Sequence, residues 1–339
     1  MLDHLENLCT LYGVSGDEKN IRNYILENIK DKCECRTDNL GNIIAFKKGK
    51  KTSAKKLMIA AHMDEVGMII THINNDGTLS FDTVGGINSD VITGRQVYIY
   101  NRKINGIVSA RAVHNISQDD RKKKVNITEL YIDIGARDAE DASKAVSAGD
   151  YVSFISGYTQ MGSGSVCSKA IDDRAGCAVM LDLIAKGTEY DTYFVFTVQE
   201  EIGLRGARTA AYGICPDYAI VIETTTAADI AGVNGAKRVC ELGKGAVVSF
   251  MDKSTVYDRK MYEIAFSVAN ENDLKCQTKT MIAGGNDSGA IHISGSGVRT
   301  LAVSVPCRYL HSPSCMAKYS DIEACELLVE KLIPKVIEL

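Results

Sequence analysis

The sequence predicts an α/β protein: a mixed, mostly parallel sheet covered by helices on both faces, with an inserted all-β, barrel-like domain. Three observations carry that expectation. Short apolar runs bounded by polar or glycine residues alternate with helical periodicity in residues 1–66 and again in 158–339. Between them, from Gly67 to about Gly157, the texture changes to short β-rich pieces separated by turn residues. The length of 339 residues exceeds one ordinary core at roughly 150 residues per domain. The expected layout is therefore discontinuous, with 1–66 and 158–339 forming one domain and 67–157 the other.

The elements follow in order. Leu5, Leu8 and Leu11 recur at helical spacing, and Ser15 with Glu18 reads as a capping box ahead of Ile21, Tyr24, Ile25 and Ile29, so two helices open the chain. The segments from Asn42 to Phe46 and from Leu57 to Ala61 read as buried strands, which leaves His62 at a strand end. In the insertion, Val97 to Tyr100, Ile107 to Ala110 and Tyr151 to Ile155 read as strands, with turns at Asn74-Asn75-Asp76-Gly77 and Gly85-Gly86. The charge run from Asp119 to Lys124 reads as a solvated loop. Beyond it come a helix from about Arg174 to Lys186, a strand from Tyr193 to Thr197, a helix from Arg205 to Tyr212 and a strand from Tyr218 to Ile222. Further strands are expected from Val247 to Met251 and from Val298 to Val305, with helices from Tyr257 to Asn270 and, behind the capping pair Ser320 and Glu323, out to Leu339.

Composition removes several classes of function. Hydrophobic residues make up 45% and charged residues 24%, with four prolines, which suits a globular chain with a large core. The net charge of -4, from 39 basic and 43 acidic residues, offers no polycationic face for nucleic acid or for anionic lipid. The start Met1-Leu2-Asp3-His4 lacks the pattern of a secretory signal, and no apolar run reaches the roughly 18 residues of a membrane span, so a cytoplasmic location is expected. Eleven cysteines without a CxxC pair read as reduced thiols, and the one CxC, Cys33 with Cys35, has too few thiolates for a tetrahedral metal site.

Residues following the strand ends of such a sheet gather at one edge, where ligands bind. Here they are His62 with Asp64, Glu200 with Glu201, Glu223, and His311. His62 can ligate a cation while Asp64 holds its second ring nitrogen; alone, such a pair is more often a surface hydrogen bond. Asp172 and Asp173 open a helix, either as an N-cap with a dipole partner or with one aspartate bridging two cations and Arg174 compensating charge. On a turn, adjacent Glu200 and Glu201 diverge, so that one binds a metal and the other reaches the attacking water as general base. Two imidazoles and three carboxylates, with Glu200 set aside and no thiolate, suit two divalent ions of the Zn, Co or Mn kind. His4, His72, His114 and His292 lack acidic companions at useful spacing.

Seven blocks in order span nearly the whole chain: Gly13-Val14-Ser15-Gly16, Asp38 to Asn42, Ala61 to Gly67, Lys169 to Gly176, Gln199-Glu200-Glu201, Gly284 to Asp287, and Arg308 to Pro313. Together they resemble the glutamyl aminopeptidase, or tetrahedral (TET) aminopeptidase, family of co-catalytic metallopeptidases, some members of which carry the label endoglucanase. The resemblance implies that His62 and Glu223 hold one metal, Glu201 and His311 the other, and that Asp172 bridges them. Glu200 is then the general base and Asp64 the partner that orients His62. It also implies short peptides as substrates, dimerisation through the β insert, and assembly of dimers into a hollow dodecamer. Two departures stand out: Glu223 replaces the family's usual aspartate, and Asn286 and Ser288 stand where threonine and alanine are usual.

Three rival readings remain at this level. A glycoside hydrolase of the endoglucanase type needs two carboxylates flanking a sugar, usually with an aromatic platform, but this chain has no tryptophan and such a reading leaves the histidines unexplained. An N-acyl amino acid deacylase or carboxypeptidase needs a cation for the substrate carboxylate, for which Arg174, Arg205 and Arg308 are candidates. A metal-dependent binding scaffold has no use for a base beside a full ligand set.

Overall fold

The structure, a computed structural model, describes residues 1–110 and 125–339. His114 and the charge run from Asp119 to Lys124 lie outside the described residues. Helices α1 (Leu2–Thr10) and α2 (Lys19–Ile29) precede strands β1 (Glu34–Thr37), β2 (Ile43–Lys47) and β3 (Leu57–His62). Then come β4 (Gly67–Ile73), β5 (Leu79–Val84), α3 (Ser89–Ile92), β6 (Gln96–Ile99), β7 (Ile104–Ser109), β8 (Tyr131–Asp133), α4 (Ala139–Ala145) and β9 (Tyr151–Phe154). The chain continues through β10 (Thr159–Met161), β11 (Ser165–Ser168), α5 (Ile171–Lys186), β12 (Thr192–Thr197), α6 (Arg205–Ile214) and β13 (Tyr218–Thr226). It ends with β14 (Ala246–Val248), α7 (Arg259–Glu271), β15 (Cys276–Thr278), α8 (Ser288–Ile291), β16 (Arg299–Arg308), β17 (Cys315–Lys318) and α9 (Tyr319–Ile337).

The main sheet runs β1-β2-β12-β3-β13-β16-β17-β11-β10, with β14 and β15 branching from β16. Its centre, β12-β3-β13-β16, is parallel, as expected, while the flanking strands pair antiparallel. Side chains alternate across a strand, and both faces here are apolar. Leu57, Ile59 and Ala61 of β3, with Phe194, Phe196, Ile220 and Ile222, join the core beneath α1, α2, α5, α7 and α9. Met58, Ala60, Val195, Ala219 and Val221 point the other way, toward α6 and α8. Two-sided burial explains why these strands read as unbroken apolar runs. Strands β4-β5-β8-β7-β6-β9 close into a separate antiparallel barrel around Met68, Ile70, Val97, Val108, Ile132 and Val152.

Helix starts differ from the expected capping. Helix α2 begins at Lys19 with Glu18 as its cap residue, and the Ser15 hydroxyl donates instead to Asp64 Oδ2 at 2.6 Å. Helix α9 begins at Tyr319, so Ser320 lies inside it and no side chain caps it. Strand β14 is shorter than expected, while β16 runs three residues further, to Arg308.

A buried charge cluster ties the chain's start to the strand edge. Lys169, 1% exposed, donates to both carboxylate oxygens of Glu65 at 2.8 Å and to the Leu11 carbonyl at 2.6 Å. Glu65 also accepts from the Gly13 amide at 2.9 Å, and Arg174, fully buried, donates to the Leu8 carbonyl at 2.6 Å. Removing one partner leaves an uncompensated buried charge. Lys169→Met is therefore expected to cost about 3–5 kcal/mol of stability, read as a fall in the guanidinium unfolding midpoint. A midpoint equal to wild type removes the pair from any structural role.

Candidate metal centre and active site

Val221 of β13 lies opposite Ala60 of β3. Two residues further along each strand come Glu223 and His62, so alternation puts both on the α6 and α8 face at the same level. Glu223 thus lies inside β13 and not after a strand ending at Ile222. His62 Nε2 is 3.4 Å from Glu223 Oε1 and 3.2 Å from Asp172 Oδ1. The other Asp172 oxygen, Oδ2, is 3.5 Å from His311 Nε2, which is itself 3.3 Å from Glu201 Oε2. Asp172 therefore turns one oxygen toward each histidine, and each histidine has a glutamate of its own.

Both imidazoles are oriented by backbone carbonyls. His62 Nδ1 lies 3.1 Å from the Asp64 carbonyl, and His311 Nδ1 lies 2.7 Å from the Gly86 carbonyl. A carbonyl only accepts, so Nδ1 of each ring carries a hydrogen and the Nε2 of each ring faces Asp172. For His62 the nearer partner is thus the backbone of Asp64, its carboxylate Oδ1 being 3.5 Å away. That carboxylate has other partners: it accepts from the amides of Glu200 at 3.0 Å and Glu201 at 3.1 Å, and from Ser15. Asp64 sets the turn that aims the two glutamates.

The site is short of positive charge. Burial pushes His62 down, yet Glu223, Asp172 and Asp64 hold it well above the usual histidine range. His311 is raised to about 10 against its burial, chiefly by Asp172 and Glu201. Burial raises Glu201 and Glu223 to about 8 each, with Asp172 adding to both. Burial also raises Asp172, but hydrogen bonds from His311 and His62 outweigh it and hold the carboxyl below its usual range. Asp173 keeps one buried oxygen, Oδ2, without a partner. Ligand atoms of His62, Asp172 and Glu201 lie within 4.8 Å of one another, as do those of Asp172, Asp173 and Glu223. Carboxylates and imidazole nitrogens converging with an orphaned oxygen are a donor set that divalent cations fit.

Glu200 lines the same cleft, of about 770 Å³, together with His62, Asp172, Glu201, Glu223 and His311. Burial, aided by Glu223, Glu201 and Asp287, raises Glu200 well above the carboxylate range, with His62 opposing. A carboxyl with this environment is suited to accepting and returning a proton.

A family profile, M42 glutamyl aminopeptidase, matches residues 41–328. This chain belongs to the M42 glutamyl aminopeptidase family. A lysyl aminopeptidase of Pyrococcus furiosus is 32% identical over 95% of this chain and 94% of its own. The TET aminopeptidase structure from Thaumarchaeota archaeon SCGC AB-539-E09 superposes with a TM-score of 0.95 at 30% identity, over 99% and 98% of the two chains. The TET1 peptidase of Pyrococcus horikoshii, which assembles into a tetrahedron or a large octahedral shell, gives 0.86 at 31% identity over 98% of each chain. A Thermotoga maritima structure that carries the name endoglucanase gives 0.82 at 35% identity over 98% of each. The M42 chain is a peptide hydrolase.

The M42 site contains residues that sequence reasoning left without a role. Asp173 was visible only as the neighbour of Asp172, and nothing in the pattern says that its side chain also reaches the centre. Asp287 accepts from Thr197 Oγ1 at 2.5 Å, and burial raises it to about 6. Asn286 donates to the Tyr257 hydroxyl at 3.0 Å and accepts from the Ser288 amide at 2.8 Å, so the two unusual residues of that loop brace each other. Gly176 is required by close approach: a Cβ there would lie 2.4 Å from Asp173 Oδ2 and 2.9 Å from Ala61 Cβ. The three arginines considered for a substrate carboxylate do not line the cleft. Arg174 is buried against the first helix, Arg308 pairs with Asp229 at 2.6 Å, and Arg205 is exposed on α6.

Proposed function

We propose that this M42 peptidase removes the N-terminal residue from short peptides with two divalent cations of the Zn, Co or Mn kind. His62 and Glu223 would hold one, His311 and Glu201 the other, with Asp172 between them. The observation that carries this reading is the split of Asp172, one oxygen to each imidazole. When bound, such ions supply Lewis acidity toward a scissile carbonyl and toward water. Glu200 accepts the proton of the attacking water and returns it to the departing nitrogen. Positive charge opposite would oppose the rise that burial and the neighbouring carboxylates give Glu200, which favours a group that acts first as base and then as acid. Asp64 keeps Glu200 and Glu201 on their separate tasks by holding both amides.

The acid-rich end of the cleft favours a free α-ammonium group. Free N-terminal peptides are therefore expected to be cleaved, and their acetylated counterparts to resist, when both are followed by chromatography with metal-supplemented protein. Cleavage of the acetylated set alone supports a deacylase instead. The endoglucanase name is not matched by the chemistry of this site, where two imidazoles are threaded between carboxylates that glycoside hydrolysis does not use in this way.

The closed barrel is the natural surface for self-association into a dimer and a larger shell, given the assembly of the TET1 peptidase. All eleven cysteines are free thiols, which suits a reducing, cytoplasmic setting.

A further inference from the structure

The thiols of this chain fall into groups of different accessibility. Cys9, Cys177, Cys240, Cys307, Cys315 and Cys325 are buried, and burial pushes Cys9 and Cys240 up to about 12, so these two stay protonated and out of reach. Cys215 is exposed, and its thiol donates to the Tyr212 carbonyl at 3.1 Å. Cys33 and Cys35 differ from both. Each is half-buried, and their sulphurs lie 3.5 Å apart in a thiol hydrogen bond.

Local structure brings the pair together. The chain leaves α2 through a turn in which the Cys33 amide donates to the Ile29 carbonyl at 3.3 Å, and it enters β1 one residue later. Glu34 is exposed while Cys33 and Cys35 pack against the core, as side chains alternating along extended backbone do. Strand β1 lies at the edge of the sheet, with Cys35 opposite Ala45 of β2, three places along the sheet from the strand that carries His62. The two sulphurs are also electrostatically unequal. The hydrogen bond from Cys35 lowers Cys33, with Lys47 and Lys32 adding to it against burial, whereas the same bond and burial raise Cys35. Lys47 is kept near by a bond from its Nζ to the Lys32 carbonyl at 2.8 Å. A thiolate beside a thiol is the arrangement of an attacking and a resolving cysteine.

We propose that Cys33 and Cys35 are a reversible redox-modification site, which peroxides convert to an intrachain disulfide and thiol reductants restore. The Cys33 thiolate attacks one peroxide oxygen; the O–O bond breaks, the far oxygen takes a proton from solvent and leaves as water or an alcohol, and Cys33 becomes a sulfenic acid. Cys35 then attacks the Cys33 sulphur, and its proton leaves with the displaced hydroxide as water. Two electrons pass from the pair of sulphurs to the peroxide. Two reductant thiols reverse the bond by exchange and become a disulfide themselves. Cys35 thus intercepts the sulfenic acid before it reaches the irreversible sulfinic form. Residues two apart in extended chain have Cα atoms about 6.6 Å apart, close to the upper limit of about 6.8 Å for a disulfide, so the bond forms under strain and is readily reduced.

Trypsin cuts after Lys32 and Arg36, which places both cysteines in one peptide, 33–36. The full chain is reduced, freed of reductant, treated with hydrogen peroxide, quenched with N-ethylmaleimide and digested for mass spectrometry. Peptide 33–36 is expected unalkylated and lighter by two hydrogens, formed about tenfold faster than any oxidised form of the Cys215 peptide, and doubly alkylated again after dithiothreitol. Cys35→Ser should leave a sulfenic acid at Cys33 that dimedone traps, and Cys33→Ser should leave Cys35 reduced at the same dose. Peptide 33–36 recovered doubly alkylated once Cys215 is oxidised, joined to another cysteine, or carrying a sulfinic acid with no disulfide overturns the site. The readout is mass and not turnover, so the outcome is independent of the peptidase reading.

Discussion

Glu200→Gln is expected to lose about 10²–10⁴ in kcat on peptide amides, the range for general acid-base catalysis, while its metal content stays that of wild type. In barrier terms this is about 3–5 kcal/mol. Glutamine keeps the size of the side chain, and the amide of residue 200 still bonds to Asp64. What it lacks is an oxygen that can accept a proton and give it back. Glu201→Gln provides the contrast: it removes the carboxylate 3.3 Å from His311 Nε2 and should lower both activity and metal content. The measurement is a steady-state assay paired with elemental analysis of the same dialysed preparations. Activity of Glu200→Gln within about threefold of wild type moves the proton transfer to another group.

Asp172→Asn is expected to abolish activity and to uncouple the protein from added cations. Each oxygen of Asp172 faces a different imidazole, so an amide must aim an NH₂ group at one of two positions where only an acceptor fits. Wild-type protein stripped with a chelator should be inactive, recover with Zn, Co or Mn, and gain thermal stability with the logarithm of the free cation concentration above Kd. At a free concentration one hundred times Kd the gain is about 2.7 kcal/mol per site. The Asn variant should show neither recovery nor shift in scanning calorimetry. Full activity of stripped wild-type protein would rule out cation dependence altogether.

Much of this arrangement was legible from residue patterns because the sheet is buried on both faces. Apolar runs such as Leu57 to Ala61 and Tyr218 to Ile222 mark central strands, and the polar residue at the end of such a run has only one edge to occupy. That reasoning puts His62, Glu200 and Glu201 at one edge, and all three line the same cleft. The pattern puts Glu223 just past a strand end, whereas β13 continues through it to Thr226; its neighbours Thr224 and Thr225 are polar yet buried, so polarity does not mark the end of this strand. The role of Ser15 was misread because the spacing of a capping box cannot reveal that the hydroxyl has a better acceptor in Asp64, 49 residues away. Asp173 and the Glu65–Lys169 pair depend on where distant segments meet, and no local pattern encodes that. The antiparallel flanks of the sheet were likewise hidden, because a short buried strand looks the same in either direction.

The bond between His311 and Gly86 joins two parts of the molecule that are usually thought of separately. Gly86 follows β5 of the barrel, while His311 stands on the loop between β16 and β17 with a left-handed φ of +57°. One lobe thus chooses which nitrogen of the other lobe's imidazole is free. Excising the barrel would not yield a smaller, working enzyme: the ring would lose its anchor and be free to rotate. By the same bond, a displacement of the barrel relative to the sheet edge would reach the His311 ring through the Gly86 carbonyl.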